Sequence, residues 1–98
     1  MGVSYHLKNI ITAVIQAESG FNIKAKNENK RNGKVWSTDW GICQINDYWW
    51  IGSNKYFKSV DEVLNNPEKS VRFMVRQAKA GNLKLWSAFN NQSYLKFM

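Results

Sequence analysis

The sequence predicts an α+β domain that is mostly helical and carries one small antiparallel β-ribbon. Three observations predict this class: an apolar stripe at helical spacing over Ile10–Ile15, an Asn32-Gly33 turn signal beside a strand-like run, and helix-start signals in the second half. No repeat, low-complexity segment or linker interrupts the 98 residues, so we expect one domain over residues 1–98.

The first helix is expected from about Ser4 to Ser19. Ser4 is a suitable N-cap, and Gly20 is a natural C-terminal stop. The apolar side chains recur at the spacing of one buried face: Ile10, Ile11, Val14 and Ile15. Glu18 then falls in the last turn, where the helix dipole disfavours a negative charge. Such a position suits an acid whose pKa is raised better than a structural carboxylate.

A β-ribbon is expected next. Residues 22–34 are polar, and Asn32-Gly33 within them is a strong signal for a tight hairpin turn. The run Val35–Ile45 is rich in β-branched and aromatic residues, so we expect a short hairpin or three-stranded ribbon there. The aromatic segment Asp47–Tyr56 is expected to be irregular.

Further helices are expected in the second half of the chain. Ser59 and Glu62 have the spacing of a capping box, which predicts a short helix. Asn66 and Pro67 then supply an N-cap and a first helical residue. The apolar stripe of this second helix is predicted to be Val71, Met74, Val75 and Ala78. Short turns or helices are expected over residues 83–89 and 90–98.

The chain is basic, and its composition offers little metal-binding chemistry. Lys and Arg number 14 against 7 Asp and Glu, and the net charge of +7 favours an anionic partner such as nucleic acid, a membrane face or a cell-wall polymer. Cys43 is the only cysteine and His6 the only histidine, which excludes an intrachain disulfide and argues against a zinc site or a Cys–His catalytic pair. We therefore expect no cofactor, no metal and a buried, structural Cys43 thiol.

Two carboxylates have different sequence surroundings. Glu18 follows an apolar helix, whereas Asp39 lies between Thr38 and Trp40 on a predicted strand, near asparagines able to hydrogen-bond it. Glycosidic cleavage requires such a pair, in which one carboxyl protonates the leaving oxygen and the ionised one stabilises or attacks the oxocarbenium ion. An acid pair in a small protein is more often two solvated surface charges, so spacing alone does not establish this one.

Several motifs follow one another in a fixed order along the chain. They are Glu18–Asn22, Ala25, Asn27, Asn29, Ser37–Asn46, Trp49-Trp50 and, more loosely matched, Trp86–Asn90. Together they strongly resemble the lysozyme superfamily, both the animal c-type lysozymes and the soluble-lytic-transglycosylase (SLT) family of bacteria and phages. The close part of the resemblance covers roughly the first half of the chain.

The resemblance implies a lysozyme-like fold, with the β-ribbon as one wall of a sugar-binding cleft, and a role for each matching residue. Glu18 matches the general acid and Asp39 the second carboxylate of c-type lysozymes, and both are predicted to be catalytic. Asn29, with Asn27, matches residues that orient the second acid, and Trp86 matches a residue packed against the first, where desolvation raises the pKa. The matches to sugar-binding residues are Gln44, Asn46, Trp49 and Trp50.

Other interpretations of single residues stay open. Gln44 is equally compatible with an ordinary buried strand, and Trp86 with a plain core anchor. C-type lysozymes are cross-linked by disulfides, which this chain cannot form within itself, and this difference favours the bacterial or phage branch. The loop between the two acids is longer here than in c-type lysozymes, which leaves the relative placement of Glu18 and Asp39 open. Where transglycosylases have a tyrosine this chain has Phe89, which leaves Tyr94 as a candidate substitute for the missing hydroxyl.

The resemblance implies a peptidoglycan-degrading muramidase that cuts the β-1,4 bond between N-acetylmuramic acid and N-acetylglucosamine. Two mechanisms stay open. In hydrolysis, Asp39 acts as nucleophile or electrostatic partner. In lytic transglycosylation, the substrate's own C6 hydroxyl closes a 1,6-anhydro ring. One alternative is a non-catalytic glycan-binding or virion structural module on the same fold, whose signature is loss of the acid. Another is a small basic nucleic-acid binder, which the net charge permits, but the Trp and Asn residues of this chain lie at lysozyme-like positions and do not interleave with Lys and Arg.

The expected partner is the glycan strand of peptidoglycan, without nucleic acid. Membrane insertion is not expected, since the apolar run Ile10–Ala17 is too short to span a bilayer. The isolated domain is expected to be a monomer that acts on the bacterial cell wall, in the periplasm or at the extracellular face. No signal-peptide pattern is visible, so delivery by a virion, a lysis system or a larger parent protein is expected. The resemblance also implies a phage origin.

Overall fold

A computed structural model describes residues 4–98 and confirms a mostly helical α+β architecture. Its helices are α1 Tyr5–Ser19, α2 Asp47–Trp50, α3 Val60–Asn65, α4 Pro67–Lys79 and α5 Ser87–Asn90, with 3₁₀ turns at Leu83–Leu85 and Ser93–Phe97. Its strands are β1 Lys26–Arg31, β2 Lys34–Trp40 and β3 Ile45–Asn46, which form one antiparallel sheet in the order β1-β2-β3.

Helix α1 begins and ends where the sequence predicts. The Ser4 hydroxyl accepts the Leu7 N–H at 3.1 Å, and the Gly20 N–H donates to the Gln16 carbonyl at 2.8 Å. Gly20 has a φ of 63°, the left-handed conformation that ends helices and that glycine adopts without strain. This stop leaves Glu18 in the last helical turn.

The β-ribbon starts earlier than the sequence indicates. Strand β1 contains only polar residues, and it pairs with β2 through the turn Asn32-Gly33, whose φ angles of 52° and 77° fit a type I′ hairpin turn. The β-branched and aromatic side chains lie on β2, so the turn and the β2 backbone determine β1 more than its own composition does. Its exposed charges suit a sheet edge, where they discourage pairing with another chain.

The predicted helix start is confirmed at Ser59 but is wrong in detail at Asn66. The Ser59 hydroxyl accepts the Glu62 N–H at 3.2 Å and caps α3. The Asn66 side chain instead donates to the Glu62 carbonyl at 3.1 Å. Because α3 and α4 are separated by this single residue, its amide satisfies an unpaired carbonyl at the end of α3 rather than an N–H of α4.

Helix α4 buries a different stripe from the predicted one. Its buried residues are Ser70, Phe73, Met74 and Ala78, while Val71 and Val75 are half-buried at the edge of the core. Phe73 packs against the rings of Trp50 and Trp86, with centroids at 4.9 and 6.2 Å. Burying the large Phe73 ring gives more stabilisation than burying the smaller Val71 side chain. The helix therefore presents its Phe73 face to the aromatic cluster.

The core lies between α1, α4 and the end of the ribbon. Six of its side chains are at most 1% exposed: Val14, Cys43, Ile45, Phe57, Val63 and Met74. Cys43 is buried, as the sequence predicts, and this burial, with a smaller effect from the charge of Glu18, raises the pKa of its thiol to about 12. Within residues 4–98, no helix is both long and apolar enough to cross a membrane.

Candidate active site

A cleft of about 550 Å³ lies between the β-ribbon and the helical part of the molecule. The three strands and α2 form one side, and the end of α1 together with residues 85–87 forms the other. The lining residues are Glu18, Asn29, Trp36, Asp39, Gln44, Ile45, Asn46, Trp49, Trp50, Leu85, Trp86 and Ser87. The ribbon is thus one wall of a cleft, as the sequence predicts.

Glu18 lies on the helical side of the cleft. Its Oε2 accepts the Ala88 N–H at 2.8 Å and the Ser87 hydroxyl at 3.4 Å. Burial raises the pKa of Glu18 above its ordinary value of 4.5, and the charge of Asp39 raises it further, while the hydrogen bonds from Ala88 and Ser87 oppose the rise. Glu18 therefore keeps its proton to a higher pH than a solvated glutamate does, which is what a general acid requires.

Asp39 lines the opposite side of the cleft, and two amides fix its carboxylate. Oδ1 accepts the Asn46 amide at 2.8 Å, and Oδ2 accepts the Asn29 amide at 3.2 Å. The Ser37 hydroxyl accepts the same two amides, at 3.1 and 3.0 Å. Ser37 and Asp39 share one face of β2 because they are two residues apart, and the sheet register places Asn29 opposite Ser37 and Asn46 opposite Asp39.

Asn46 also connects this network to α2, which carries the two adjacent tryptophans. Its Oδ1 accepts the Trp49 N–H at 3.2 Å and caps α2. Trp49 is 61% exposed at the cleft, whereas Trp50 is half-buried against the core. The segment that the sequence predicts to be irregular therefore begins with a capped helical turn that separates the two indole rings.

Gln44 is held at both ends of its side-chain amide. Its Oε1 accepts the Asn27 amide at 2.7 Å, and its Nε2 donates to the Gly41 carbonyl at 3.0 Å. Gln44 has a φ of 53°, so it belongs to the turn before β3 and not to an ordinary buried strand. Asn27 itself lies outside the cleft lining and reaches the site only through Gln44.

Trp86 belongs to both the core and the cleft. It is 6% exposed, and its Nε1 donates to the Cys43 carbonyl at 2.6 Å. It also lines the cleft together with Glu18, and it directly precedes α5, whose Ala88 N–H binds the Glu18 carboxylate. Trp86 is therefore a core residue and also part of the cleft wall, so the two alternatives that the sequence left open do not exclude each other.

The structure brings eight of the nine predicted site residues into the cleft, all except Asn27. Tyr94 stacks on Phe89 with ring centroids 5.1 Å apart, and neither residue lines the cleft. Sequence reasoning assigned no role to Ser37, Trp36 or Ser87. Strand alternation from Asp39 could have identified Ser37, but no local signal points to the other two. Among residues 4–98, no cluster of His, Cys, Asp and Glu side chains is placed to hold a metal ion.

Two substitutions are expected to move the pKa of Glu18 in opposite directions. Ser87→Ala removes a donor that favours the ionised carboxylate and should raise the pKa, whereas Asp39→Asn removes a neighbouring negative charge and should lower it. An NMR titration of the Glu18 carboxyl carbon measures both shifts, with the exposed Ser53→Ala as control. Shifts of the same sign in the two variants would contradict these assignments.

The same pKa determines how stability depends on pH. The folded protein binds the Glu18 proton more tightly than the unfolded chain does, because the folded-state pKa is the higher of the two. The contribution of Glu18 to the free energy of unfolding should therefore be fully present below pH 4.5 and should be lost as the pH rises through the raised pKa. Glu18→Gln should remove this dependence.

Relatives of this chain include three proteins named lysozyme C. Lysozyme C, milk isozyme, from Equus caballus is 30% identical over 95 residues, which cover 87% of this chain and 69% of the relative. Lysozyme C-1 from Anas platyrhynchos is 45% identical over 51 residues, 52% of this chain and 31% of the relative. Lysozyme C-3 from Ovis aries is 48% identical over 44 residues, 45% of this chain and 28% of the relative. The chain therefore spans less than a third of the length of the last two.

A family match covers nearly the whole chain. The profile of the transglycosylase SLT domain matches residues 3–91, a range that contains both cleft carboxylates and Trp86. Together with the horse relative, this match confirms the resemblance that the motifs indicate. The chain belongs to the transglycosylase SLT domain family, within the lysozyme-like superfamily of glycan-cleaving enzymes.

Proposed function

We propose that the protein is a muramidase that cuts the β-1,4 bond between N-acetylmuramic acid and N-acetylglucosamine in peptidoglycan, with Glu18 as general acid. The observation that carries the proposal is the carboxyl pair: Glu18, whose pKa is raised by burial, shares a cleft with Asp39, whose carboxylate is held by two asparagine amides. Glycosidic cleavage needs two carboxyls in such different environments. The family match supports peptidoglycan as the substrate.

In the proposed reaction, Glu18 donates its proton to the glycosidic oxygen as the bond to the leaving sugar breaks. Asp39 stabilises the oxocarbenium ion or attacks it to form a glycosyl-enzyme intermediate. Glu18 then takes a proton from the attacking water, and the sugar leaves with a free reducing end. Asn29 and Asn46 act by holding the Asp39 carboxylate in one orientation throughout.

The remaining cleft residues are proposed to bind the glycan. Trp49 offers an exposed, flat apolar face for a sugar ring, and Trp50 and Trp86 close the cleft around it. Asn27 is proposed to act through Gln44, since the two side chains are joined at 2.7 Å and Asn27 lies outside the lining. The net charge of +7 supports attraction to an anionic cell wall, and we propose a monomer with no nucleic-acid partner.

Hydrolysis and lytic transglycosylation remain two forms of this proposal, and each has an observation in its favour. The family match favours transglycosylation, in which Glu18 protonates the leaving oxygen and then takes the proton of the C6 hydroxyl. The fixed carboxylate of Asp39 favours hydrolysis. We propose hydrolysis, because transglycosylation needs one acid–base residue and the cleft contains a second carboxylate held by two amides.

Digestion of purified peptidoglycan in water enriched in oxygen-18 tests both the muramidase activity and the choice of hydrolysis over transglycosylation. Hydrolysis should give reducing ends that each carry one heavy oxygen, which mass spectrometry detects. Unlabelled anhydro ends, lighter by one water, would establish transglycosylation and contradict the role given to Asp39. If the wild-type protein released no soluble fragments from peptidoglycan, the muramidase proposal itself would be wrong.

A bacterial or phage origin is proposed as well. The single cysteine supports it, since the disulfide-linked c-type lysozymes resemble the chain in their motifs but not in their cross-links. Action on the cell wall follows from the proposed substrate. Delivery by a virion, a lysis system or a larger parent protein stays a prediction.

A further inference from the structure

Trp36 lines the cleft although strand alternation alone would not put it there. In a regular β2, Trp36 would share the face of Thr38, opposite to Ser37 and Asp39. The sheet register shifts at this point: Asn29 pairs with Ser37 and Lys30 with Val35, so Trp36 has no partner on β1. Such a bulge redirects a side chain, and it brings the Trp36 indole to the cleft wall.

The Trp36 ring is held at the surface and is not part of the core. It is half-buried and lies outside the hydrophobic cluster formed by the described residues. The Arg31 guanidinium lies 4.0 Å from its centroid, and the Tyr48 ring lies edge-on at 5.6 Å. Tyr48 in turn lies 5.0 Å from Trp49, so the three rings form a continuous aromatic row, Trp36-Tyr48-Trp49, of which Trp36 and Trp49 line the cleft.

Positive charge is concentrated beside this row. Lys30, Arg31 and Lys34 surround the hairpin turn, and all three are exposed. Among residues 4–98, the ion pairs are Lys26–Glu28 and Lys69–Glu62, so none of these three cations is neutralised by a carboxylate. Stacking on Trp36 positions the Arg31 guanidinium while leaving its N–H donors available to a ligand.

We propose that Trp36 and Arg31 form an additional subsite, at the hairpin end of the cleft, for a saccharide unit that carries a carboxylate. The indole stacks against the apolar face of the sugar ring, and Arg31 pairs with the carboxylate of its lactyl or peptide substituent. This inference rests on the proposed muramidase function and adds a specificity for the acidic sugar of the strand. A stack that only stiffened the hairpin would not affect glycan affinity.

Binding to two glycans separates the two contributions. The protein with Glu18→Gln, which leaves the glycan intact, is titrated calorimetrically with neutral chitohexaose and with peptide-free glycan strands that keep their lactyl carboxylates. Trp36→Ala should raise the Kd for both by about tenfold. Arg31→Gln should raise the Kd for the anionic strands by about threefold and leave that for chitohexaose unchanged. The Arg31 effect should vanish at high salt.

Controls distinguish the loss of a subsite from damage to the hairpin. Val35→Ala removes an exposed apolar side chain next to Trp36 but outside the cleft lining, and Lys79→Gln removes an exposed cation on α4, also outside that lining. Both should bind like the parent, and Trp36→Tyr should recover part of the lost affinity. Unchanged affinity in Trp36→Ala, or an equal loss of affinity in Val35→Ala, would overturn the proposed subsite but not the proposed muramidase function. If the parent bound neither glycan, the proposed function would fail with it.

Discussion

Replacing Glu18 with glutamine is expected to reduce the rate of peptidoglycan solubilisation by about 10²- to 10⁴-fold, the contribution of a positioned general acid. Glutamine has the same shape and can accept the Ala88 N–H at the position where Glu18 Oε2 accepts it at 2.8 Å. It has no proton of suitable acidity to donate to the leaving oxygen. The loss should appear in kcat with little change in KM, because the ground-state contacts to the glycan are kept.

The matched control is Glu28→Gln, an exposed glutamate on the outer strand of the same protein. It makes the same change of charge without touching the cleft and should retain wild-type activity. Glu18→Gln should not lower the thermal stability at neutral pH, since it replaces a carboxyl whose ionised form is disfavoured by burial. If Glu18→Gln solubilised peptidoglycan at the wild-type rate, the role of general acid given to this residue would be contradicted.

Replacing Trp86 with alanine is expected to lower the free energy of unfolding by about 3–5 kcal/mol, the usual cost of deleting a large buried aromatic side chain. The ring is 6% exposed, packs against Phe73 and donates to the Cys43 carbonyl at 2.6 Å. A loss of this size is a large part of the stability of a small domain. Urea denaturation followed by circular dichroism measures it.

Trp86→Phe separates packing from hydrogen bonding at this position. Phenylalanine keeps an aromatic ring but leaves the Cys43 carbonyl without its donor, at a cost of about 1–3 kcal/mol. In both variants the pKa of Glu18 should fall, because water gains access to the carboxyl and weakens the desolvation that raises its pKa. A Glu18 titration that was unchanged in a folded Trp86→Phe would show that other residues supply the desolvation.

The parts of the site that could be predicted are those encoded within one element. The two ends of α1 follow from Ser4 and Gly20, and the stop at Gly20 leaves Glu18 in the last turn. Strand alternation links Asp39 to Ser37, and the motifs of the resemblance identify Asn29 and Asn46. In each case the signal lies within a helical turn, a hairpin or a short run of residues.

The partners of Glu18 could not be predicted in the same way. Its carboxylate accepts from Ser87 and Ala88, which are 69 and 70 residues further along the chain. Helix α5 is only four residues long, and nothing local to it indicates that the N–H of its second residue, Ala88, binds an acid on α1. The pKa of Glu18 depends mainly on burial, and burial exists only when α1, α5 and the ribbon are assembled.

The sequence by itself determined the capped first helix, the Asn32-Gly33 hairpin turn, the two carboxylates and the membership in a lysozyme-like family, because these depend on neighbouring residues and on motif order. The tertiary structure alone decided the stripe that α4 buries, the bulge that redirects Trp36, and the surroundings that raise the pKa of Glu18. Each of these depends on competition between distant side chains for the same volume, which a local pattern does not contain. The sequence alone thus places Glu18 in the last turn of α1, whereas the assembled fold raises its pKa.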